Sequence, residues 1–399
     1  MQCVILAAGE GSRMRPLTSS RPKVMLPLAG KPMLEHLIRN VRDAGITDII
    51  LVVGYHEDAI RKWFDNGLKF GVSIRYVVQR KQMGTADALR TAEPFIHEQF
   101  LMLNGDMIVE TSDLLKIIGQ PGPVMATYTT AHPESFGVVT VENDKITTLE
   151  EKSLHPKSNI INAGAYLFET GIFDILKKIS PSSRGEYELT DALTDYIGKG
   201  RLSAYSLSVW MDVGYPWDML CANEHLLASI SGDILGTVEE NVVIKGQLIL
   251  GKGSVIKSGT YIEGPCIIGE NTSVGPNAYL RPGTTVGNNC HIGHAVEIKN
   301  SIIFDDTKIP HYNYIGDSVI GSRCNFGAGT KIANLRHDHG IVKVGGVSTG
   351  RKKFGAVIGD DVLFGINCSI NTGSSIGSGA RVAPNSLVSG IVEKDTVIT

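Results

Sequence analysis

Glycines and cations are concentrated in one short segment near the start of the chain, Leu6–Pro27. Gly9 and Gly11 let backbone N–H groups approach phosphate oxygens, while Arg13 and Lys23 carry charge that stabilises a bound phosphate. The spacing matches neither common motif, because a methionine stands where the dinucleotide fingerprint needs glycine or alanine and no Gly-Lys-Ser/Thr follows. The segment predicts a phosphate site of another kind, unless the glycines only relieve crowding in a strand-to-helix turn.

An aspartate, Asp106, stands just beyond the predicted strand Phe100–Leu103. Open α/β sheets bind their ligands at the C-terminal ends of the strands. We therefore expect Asp106 to face a ligand. The alternative is that its carboxylate only caps the next element.

Branched apolar residues recur every six positions from Val238 to Ile298 without a break. Neither an α-helix nor a single strand has this period, whereas a parallel β-helix does, because each short strand points one apolar residue inward and successive coils stack. The series resumes after one-residue slips at Ile303 and Ile320. The stretch Ala333–Val357 breaks the register and is expected to form a loop. A glycine-rich sandwich is the weaker alternative for this half.

Three hexapeptides make one triangular turn, so residues eighteen positions apart lie on adjacent coils of one face. Arg281 and Lys299 have this spacing. We expect these two cations to stack as neighbours.

The first half of the chain has a different pattern, in which apolar runs alternate with helical periodicity. The predicted strands are Gln2–Ala7, Ile49–Val53, Ile74–Val78, Phe100–Leu103 and Val124–Tyr128, and the predicted helices are Met33–Ala44, Glu57–Asp65, Thr85–Ala92 and Ser112–Ile118. This alternation predicts an α/β, Rossmann-like domain with a mostly parallel sheet covered on both faces. A helix over Trp217–Ile230 would close it. The linker Ser231–Asp233 then divides the chain into domains 1–232 and 233–399.

The composition is that of a globular protein, with 42% hydrophobic and 20% charged residues in 399, which excludes one small domain and wholesale disorder. A net charge of -3 predicts no nucleic-acid or membrane partner held by net charge. No stretch approaches the roughly 18 apolar residues of a spanning helix, and the first residues do not form a signal peptide, so we expect a cytoplasmic protein. The six cysteines show no CxxC spacing and predict neither disulfides nor a zinc site.

The segment Leu6–Pro27 closely resembles the signature of sugar-1-phosphate nucleotidylyltransferases. Further segments are similar to motifs of this family: Gln79–Ala86 to the base-reading segment, Leu103–Asp106 to the metal-binding strand end, Glu151-Lys152 with Asn162–Gly164 to the sugar pocket, and Trp210–Gly214 to the last motif. The resemblance implies that a sugar phosphate oxygen attacks the α-phosphorus of a nucleoside triphosphate and that pyrophosphate leaves. It also implies that Asp106 and Asp212 hold Mg²⁺.

The same resemblance assigns roles to individual residues. Lys23 and Arg13 would stabilise charge in the reaction, although either could be a solvated surface cation. The implied nucleotide-binding residues are Ala8, Gly9, Gly11, Ser12, Arg13, Lys23, Gln79, Gly84 and Thr85. The implied sugar-phosphate residues are Gly137, Glu151 and Asn162, with the region of Tyr215. The sequence leaves open whether Glu150 or Glu151 reaches the sugar.

The second half resembles the acetyltransferase half of bifunctional N-acetylglucosamine-1-phosphate uridyltransferases, most of all the archaeal form. The segments that carry the resemblance are Leu280–Gly283, Val296–Lys299, His311–Asp317 and Asn325–Thr330 with Asn334. Members are left-handed β-helices that trimerise and bind acetyl-CoA between subunits, so the resemblance implies a homotrimer.

His311 matches the position of the family's base and follows a register slip, where a side chain can point outward. Histidine suits proton removal because its ordinary pKa lies near neutrality. The resemblance implies that Arg281 and Lys299 grip the sugar phosphate and that Tyr314, Asn325 and Asn334 hold the substrate. Lys343 and the basic run Arg351–Lys353 could receive the phosphates of coenzyme A. That run could equally be a solvated face.

The leading hypothesis is a two-activity enzyme that acetylates glucosamine-1-phosphate with acetyl-CoA and then transfers uridylyl from UTP to N-acetylglucosamine-1-phosphate. The stretch Arg15–Thr18 is more similar to thymidylyl- and guanylyltransferases. Two alternatives therefore stay open: the nucleotide could be dTTP instead of UTP, and the sugar could have the galacto instead of the gluco configuration. A second hypothesis keeps only nucleotidyl transfer to glucose-1-phosphate or mannose-1-phosphate, with a structural β-helix. A third is a catalytically silent regulatory subunit, which would be expected to lose the charged site residues.

Overall fold

The computed structural model describes residues 1–151, 153, 155–182 and 184–399, which separate by their contacts into two units. The first unit comprises Met1–Glu10, Pro22–Met25 and Met33–Asp212, and the second comprises Gly11–Arg21, Leu26–Pro32 and Val213–Thr399. Within the described part of the chain, no helix is long and apolar enough to cross a membrane. The domain division at residue 232 stays a prediction.

The first unit is built on a nine-stranded sheet. In order across the sheet the strands are Ser73–Val78, Asp48–Val53, Gln2–Ala7, Phe100–Asn104, Ile160–Phe168, Val124–Thr129, Ser203–Ser206, Lys145–Glu151 and Gly137–Glu142. Ile160–Phe168 and Lys145–Glu151 run antiparallel to their neighbours, and the other strands share one direction. The predicted mostly parallel sheet is confirmed.

Helices cover this sheet. They are α1 (Met33–Asp43), α2 (Glu57–Phe64), α3 (Thr85–Ala92), α4 (Thr111–Ile118), α5 (Ile172–Leu176) and α6 (Leu189–Gly198). Short 3-10 turns lie at Lys23–Met25, Leu68–Phe70, Glu93–Phe95 and Pro133–Ser135, and Met107–Val109 pairs with Trp210–Asp212 in a small separate sheet. Each predicted strand and helix of this unit is present with its ends within one residue of the prediction.

The core of the first unit lies on both sides of the sheet. Along the strand Gln2–Ala7, Cys3 and Ile5 pack into one apolar cluster, whereas Val4 packs into the other. Successive side chains of a strand point to opposite faces, so a strand buried on both faces needs a continuous apolar run. The uninterrupted apolar stretches of the sequence therefore mark the strands whose ends carry the candidate site.

The second unit is a parallel β-helix whose strands form three faces. Face 1 contains Asp233–Ile234, Leu248–Leu250, Cys266–Ile268, Thr284–Val286, Ile302–Ile303, Val319–Ile320, Ala356–Ile358, Ser374–Ile376 and Ile391–Val392. Face 2 contains Thr237–Val238, Val255–Ile256, Ser273–Val274, His291–His294, Lys308–His311, Asn325–Phe326, Leu363–Phe364, Arg381–Val382 and Val397–Ile398. Face 3 contains Val243–Lys245, Tyr261–Glu263, Tyr279–Leu280, Glu297–Lys299, Tyr314–Gly316, Lys331–Ile332, Ser369–Ile370 and Leu387–Val388.

The six-residue period is confirmed by the core of this β-helix. Ile256, Ile262 and Ile268 lie on three different faces, yet all are fully buried in one apolar cluster. Parallel pairing then puts Val274 beside Ile256 on the next coil. The stacked apolar residues form a continuous column, which is what a repeat protein needs, because one coil alone cannot bury its inner face.

The predicted loop leaves the coil after Ile332 and carries a hairpin, Lys343–Val344 with Val347–Ser348. The chain rejoins face 1 at Ala356–Ile358, where Val357 pairs with Val319. Ile358 pairs with Ile320, so the repeat resumes at the predicted register residue, and only the first two residues of this strand lie within the predicted loop.

One helix, α7 (Asp218–Leu227), also belongs to the second unit. Its buried Asn223 donates to the carbonyl of Gly283 at 2.9 Å and accepts from Thr285 Oγ1 at 2.9 Å. These bonds attach the helix to the β-helix, in which Gly283 and Thr285 lie on one coil. The remaining short elements of this unit are the 3-10 turn Ser12–Met14 and the hairpin of Pro27–Leu28 with Lys31–Pro32.

Candidate active sites

Lys23 and Asp106 form an ion pair just beyond the strand Phe100–Asn104, with 2.5 Å between Lys23 Nζ and Asp106 Oδ2. Lys23 is only 6% exposed, so solvent screens this pair less than it screens a surface pair. The N–H of Gly105 donates to the carbonyl of Leu6 at 2.8 Å, and a Cβ on Gly105 would lie 2.7 Å from that oxygen. A glycine is therefore needed where this strand end approaches the phosphate loop.

A second carboxylate, Asp212, lies close to Asp106 in the same unit. The strand Trp210–Asp212 pairs with Met107–Val109 so that Asp212 is opposite Met107, the residue after Asp106. Mg²⁺ takes oxygen ligands and typically binds one or two protein carboxylates together with waters and substrate phosphates. Among the residues that the structure describes, no group of three or more His, Cys, Asp or Glu could hold a metal. Two carboxylates on paired strand ends are a donor set of the kind that Mg²⁺ takes.

Gln79 and Gly84, both predicted nucleotide contacts, are held together. Gln79 is buried after the strand Ser73–Val78, and its Nε2 donates to the Gly84 carbonyl at 3.1 Å and to Asp87 Oδ2 at 2.9 Å. Gly84 has a φ of 100°, and a Cβ there would lie 2.4 Å from the carbonyl oxygen of Tyr187. Only glycine fits this conformation and this space.

Thr85 and Gln82 connect the same segment to its surroundings. The Oγ1 of Thr85 accepts a hydrogen bond from the N–H of Leu189, the first residue of α6, at 3.1 Å. Gln82 is not among the predicted site residues, yet its Nε2 donates to the carbonyl of Ala8 at 2.8 Å and ties the base-reading segment to the phosphate loop. A Cβ on Gly9 would meet nothing within 4 Å, so the space beside this part of the loop is open.

The three predicted sugar-phosphate residues meet at Gly137. A Cβ on Gly137 would lie 2.8 Å from Glu151 Oε2 and 3.6 Å from Asn162 Cβ, so a side chain there would displace the carboxylate. Glu150 has a different partner, because its Oε1 lies 2.6 Å from Lys157 Nζ. Adjacent residues of a strand point to opposite faces, and here Glu151 is the one on the side of Asn162.

Asn162 is fixed by two hydrogen bonds to its Oδ1. The N–H of Gly164 donates to it at 3.0 Å and the hydroxyl of Tyr166 at 2.8 Å. Burial raises the pKa of Tyr166, so its hydroxyl stays a donor across the physiological range. Lys152, which belongs to the predicted sugar motif, lies outside the described residues.

The remaining predicted loop residues, Gly11, Ser12 and Arg13, lie in the second unit. Gly11 has a φ of 67°, a left-handed conformation that favours glycine, and the 3-10 turn Ser12–Met14 follows it. The Arg13 guanidinium carbon is 5.3 Å from the centroid of the Tyr215 ring, a cation–π geometry. Tyr215 thus orients Arg13, and this contact was not predicted.

Arg281 and Lys299 stack on adjacent coils, as their spacing predicts. The N–H of Arg281 donates to the carbonyl of Ile298 at 2.9 Å. Each cation has an acidic partner: Arg281 Nη1 lies 3.0 Å from Glu297 Oε1, and Lys299 Nζ lies 2.9 Å from Asp317 Oδ2. The partners orient both cations on one face.

The same two cations line a cavity of about 430 Å³. Small-molecule sites typically have roughly 300–1,000 Å³. The other lining residues are Glu224, Leu227, Pro265, Pro282, Gly283 and Asn300. The cavity is therefore of a size that a sugar phosphate could fill, with cations in its wall.

Asp317 links the residues predicted to bind the amino sugar. It is 2% exposed, and its carboxylate accepts hydrogen bonds from Lys299, from Asn300 Nδ2 at 3.0 Å and from Asn334 Nδ2. Burial raises the pKa of Tyr314, whose hydroxyl is hydrogen-bonded to Asn334. Asp317 was not predicted as a site residue, although it ends the segment that carries the resemblance.

His311, Asn325 and Lys343 lie elsewhere on the second unit. His311 ends the face 2 strand Lys308–His311 and is exposed, and Asn325 pairs with Lys308 on the next coil. Lys343 is an exposed residue of the hairpin in the inserted loop. One chain therefore presents the predicted base on face 2 and the stacked cations on face 3.

A further network joins α7 to the inserted loop and was not predicted. Glu224 Oε1 lies 2.6 Å from Arg351 Nη2 and accepts from Asn300 Nδ2 at 2.7 Å, while Arg351 Nη1 lies 2.9 Å from Cys221 Sγ. Arg351, the first residue of the basic run, is thus engaged within the protein. Its neighbours Lys352 and Lys353 are exposed.

A parallel-sheet unit with carboxylates and a lysine at its strand ends, followed along the chain by a β-helix of six-residue repeats, defines a nucleotidyltransferase with a hexapeptide-repeat transferase domain. Family models agree with this class. Residues 2–229 match the nucleotidyl transferase family, residues 262–364 match the GMPPB C-terminal domain, and residues 355–390 match the bacterial transferase hexapeptide repeats.

Comparison with individual proteins narrows the class. The chain is 48% identical to the bifunctional protein GlmU of Methanococcus maripaludis strain C7 and 43% identical to that of Methanocaldococcus jannaschii, over 100% of this chain and 97% of each relative. It is 40% identical to the bifunctional sugar-1-phosphate nucleotidylyltransferase/acetyltransferase of Sulfurisphaera tokodaii over 97% of both chains. The chain belongs to this GlmU-type bifunctional family, as predicted.

A solved structure is similar to part of the chain. The crystal structure of a putative glucose-1-phosphate thymidylyltransferase from Bacillus anthracis, in complex with sucrose, is 33% identical with a TM-score of 0.54. The match covers 58% of this chain and 97% of that one. The likeness thus concerns little more than half of the chain.

Proposed function

We propose that this enzyme makes UDP-N-acetylglucosamine in two steps. It transfers acetyl from acetyl-CoA to glucosamine-1-phosphate and then uridylyl from UTP to N-acetylglucosamine-1-phosphate. The observation that carries the proposal is the similarity to bifunctional relatives along the whole chain. The charged residues of both predicted sites are present, which argues against a silent regulatory subunit.

In uridylyl transfer, a phosphate oxygen of the sugar phosphate attacks the α-phosphorus of UTP, and the bond to the bridging oxygen of pyrophosphate breaks. Two anions must meet, so catalysis depends on positioning and on stabilising negative charge. Lys23 and Arg13 are the cations proposed for this task. Gln79 and Gly84 would position the base and Thr85 the ribose, while Gly137, Glu151 and Asn162 would position the sugar. Gly9 and Gly11 let the loop backbone approach the phosphates, together with Ala8 and Ser12.

Asp106 and Asp212 would hold Mg²⁺, since they provide the carboxylate oxygens that this ion prefers. A bound Mg²⁺ supplies positive charge that neutralises the triphosphate. Lys23 is already oriented toward Asp106, so its cationic end is held where the same phosphates would lie.

In acetyl transfer, the amino nitrogen of glucosamine-1-phosphate bonds to the thioester carbon of acetyl-CoA, and the carbon–sulfur bond breaks. His311 is proposed to take the proton that the nitrogen loses, and the coenzyme A thiolate is then protonated. Arg281 and Lys299 would grip the sugar phosphate in the cavity that they line. Tyr314, Asn325 and Asn334 would hold the substrate, with Lys343 toward coenzyme A.

We also propose a homotrimer formed through the β-helix. Leu363 and Val397 on face 2 are 40% and 66% exposed, and Leu387 on face 3 is 71% exposed. These exposed side chains support the proposal, because a neighbouring chain could cover them. In one chain the proposed base and the stacked cations lie on different faces. In a trimer, the base of one subunit could therefore act together with the cations of a neighbouring subunit. Light scattering should give three times the chain mass of 43.0 kDa, and a monomer would contradict the proposal.

The test of function is mass spectrometry of the products. Purified protein is incubated with Mg²⁺, UTP, acetyl-CoA and glucosamine-1-phosphate, and each component is omitted in turn. We expect UDP-N-acetylglucosamine only in the complete mixture. Exchange of UTP for dTTP, and of the gluco for the galacto sugar, measures both preferences. We also propose that the enzyme acts in the cytoplasm.

The alternative of nucleotidyl transfer alone is supported by the match of residues 262–364 to the GMPPB C-terminal domain. It predicts a nucleotide sugar without an acetyl group, from glucose-1-phosphate or mannose-1-phosphate. The absence of any product with these sugar phosphates and nucleotides would contradict both enzyme hypotheses.

A further inference from the structure

A β-helix carboxylate contacts the segment Gly11–Arg21, which carries part of the proposed nucleotide site. Asp360 follows the face 1 strand Ala356–Ile358 and is 3% exposed. Its Oδ2 accepts a hydrogen bond from Ser20 Oγ at 2.5 Å and from Arg21 Nη2 at 2.6 Å. Both donors belong to that segment, and all of these residues lie in the second unit.

The two oxygens of Asp360 serve different neighbours. Oδ1 accepts a hydrogen bond from the N–H of Ser322 on the preceding coil at 2.8 Å. The equivalent bond recurs elsewhere at this corner of the β-helix, where Asp305 Oδ1 accepts from the N–H of Asn288 at 2.7 Å. The coil-to-coil contact therefore needs one oxygen of the carboxylate, and Oδ2 is the oxygen directed to Ser20 and Arg21.

Arg21 is held by more than this ion pair. Its guanidinium nitrogens lie 3.3 and 3.4 Å from Ser322 Oγ, and its guanidinium carbon is 5.3 Å from the centroid of the Phe304 ring. A buried carboxylate is costly without a close cationic partner. Removal of Arg21 leaves Asp360 only with Arg323, whose Nη2 lies farther away, 3.8 Å from Asp360 Oδ2. Charge, hydrogen bonds and ring packing thus fix one end of the segment.

The position of Arg21 in the chain gives this anchor a consequence for catalysis. Arg21 lies eight residues after Arg13 and two before Lys23, the two cations proposed to act on the phosphates. Pro22 between Arg21 and Lys23 restricts the backbone further, because its ring fixes φ. A displacement of Arg21 would be transmitted to both cations through the chain.

We propose that Asp360 is a positioning residue for nucleotidyl transfer, which it supports by anchoring the segment Gly11–Arg21 through Ser20 and Arg21. The inference rests on the proposed function of that segment. It means that a residue of the acetyltransferase half of the sequence determines how well the nucleotidyltransferase half works.

The test compares Asp360→Asn with Asp305→Asn and Arg21→Ala in the full chain. An amide can keep the bond from Ser322 through its oxygen but presents an NH₂ group to Ser20 and Arg21, so Asp360→Asn removes the anchor selectively. Asp305→Asn makes the same chemical change at an equivalent corner. We measure kcat and KM for uridylyl transfer, the rate of acetyl transfer, and hydrogen exchange of the peptides that cover residues 11–21.

For Asp360→Asn and for Arg21→Ala we expect kcat/KM for UTP to fall on the order of tenfold, since each variant removes a charge-assisted hydrogen bond. Acetyl transfer should stay within about twofold in both, hydrogen exchange of residues 11–21 should rise in both, and Asp305→Asn should resemble the wild type. In the double variant, kcat/KM for UTP should fall no further than in the worse of the two single variants, because both substitutions remove the same contact.

Unchanged uridylyl transfer in both variants, or an equal loss of both activities, would overturn the proposal. Should Asp360→Asn fail to fold, Arg21→Ala decides alone by the same criteria. A wild-type protein without uridylyl transfer would refute the proposed function instead. In that case the exchange measurement still decides whether Asp360 anchors the segment, and unchanged exchange would refute the anchor.

Discussion

Lys23 Nζ lies 2.5 Å from Asp106 Oδ2, so the proposed catalytic cation and a proposed metal ligand are each other's partner. The two residues are far apart in the sequence, and the strand end at Gly105 brings them together. Their pairing orients both side chains before any substrate binds. Preorganised charges of this kind need no rearrangement during the reaction, which is a main source of catalysis by electrostatics.

Asp106→Asn should abolish most uridylyl transfer and leave acetyl transfer intact. The variant removes a proposed metal-binding charge and the partner of Lys23, and groups that stabilise developing charge typically contribute about 100- to 1,000-fold to kcat. The measurement is the rate of pyrophosphate release from UTP and N-acetylglucosamine-1-phosphate at saturating Mg²⁺. Asp58→Asn, a change at an exposed residue of α2, is the control. Full activity of Asp106→Asn would remove Asp106 from the metal site.

Glu151→Gln and Glu150→Gln form a matched pair. Glu151 lies against Gly137 on the side of Asn162, whereas Glu150 pairs with Lys157. We expect Glu151→Gln to raise the KM for N-acetylglucosamine-1-phosphate by about tenfold, because a charged acceptor of sugar hydroxyls is lost, while Glu150→Gln stays near the wild-type value. Initial rates at varied sugar phosphate measure both. The reverse order would assign the sugar contact to Glu150.

The features of the fold and of the candidate site that could be predicted are those that depend on the residue pattern of one short segment. The six-residue period placed Ile256, Ile262 and Ile268 in one column, and the apolar run before Asp106 placed that carboxylate at a strand end. In both cases the position of a residue depends only on its own short element. Secondary structure and its periodicity therefore transfer directly from sequence to fold.

The parts that could not be predicted depend on contacts between distant segments. Arg21 and Asp360 are separated by 339 positions, and Glu224 and Arg351 by 127. Neither pair has a periodic signal, because each is made by single polar side chains from a loop, a coil corner or a helix. The sequence could not decide between Glu150 and Glu151 for a similar reason. Pairing with a distant strand determines which of these two adjacent carboxylates lies on the side of Asn162.

Asp113→Asn should make the free energy of unfolding of the first unit less dependent on pH in the acidic range. Burial of Asp113 in α4 by itself raises its pKa, but hydrogen bonds from Ser208, Tyr205 and Val209 outweigh burial and lower the pKa below its ordinary value. A carboxylate with a lowered folded pKa stabilises the protein above its unfolded pKa of about 3.9, and this stability is lost as the pH falls through the folded pKa.

The measurement for Asp113 is urea unfolding at several pH values from neutral to acidic. At neutral pH the variant should be less stable by about 1–3 kcal/mol, and the difference from the wild type should shrink as the pH falls through the acidic range. Asp144→Asn, at an exposed turn position with positive φ that either residue adopts, is the control. A difference that is constant with pH would show that the charge of Asp113 does not contribute.

His311→Ala should abolish acetyl transfer and leave uridylyl transfer of N-acetylglucosamine-1-phosphate nearly unchanged. His311 is exposed at the end of its strand, so its removal opens no cavity in the β-helix core. Loss of a general base typically costs about 100- to 10,000-fold in rate. Release of free coenzyme A thiol measures the first activity and release of pyrophosphate the second. His337→Ala, at an exposed histidine of the inserted loop, should keep both activities. Joint loss of the two activities in His311→Ala would mean that the histidine supports the fold, and acetyl transfer at the wild-type rate would mean that another group takes the proton.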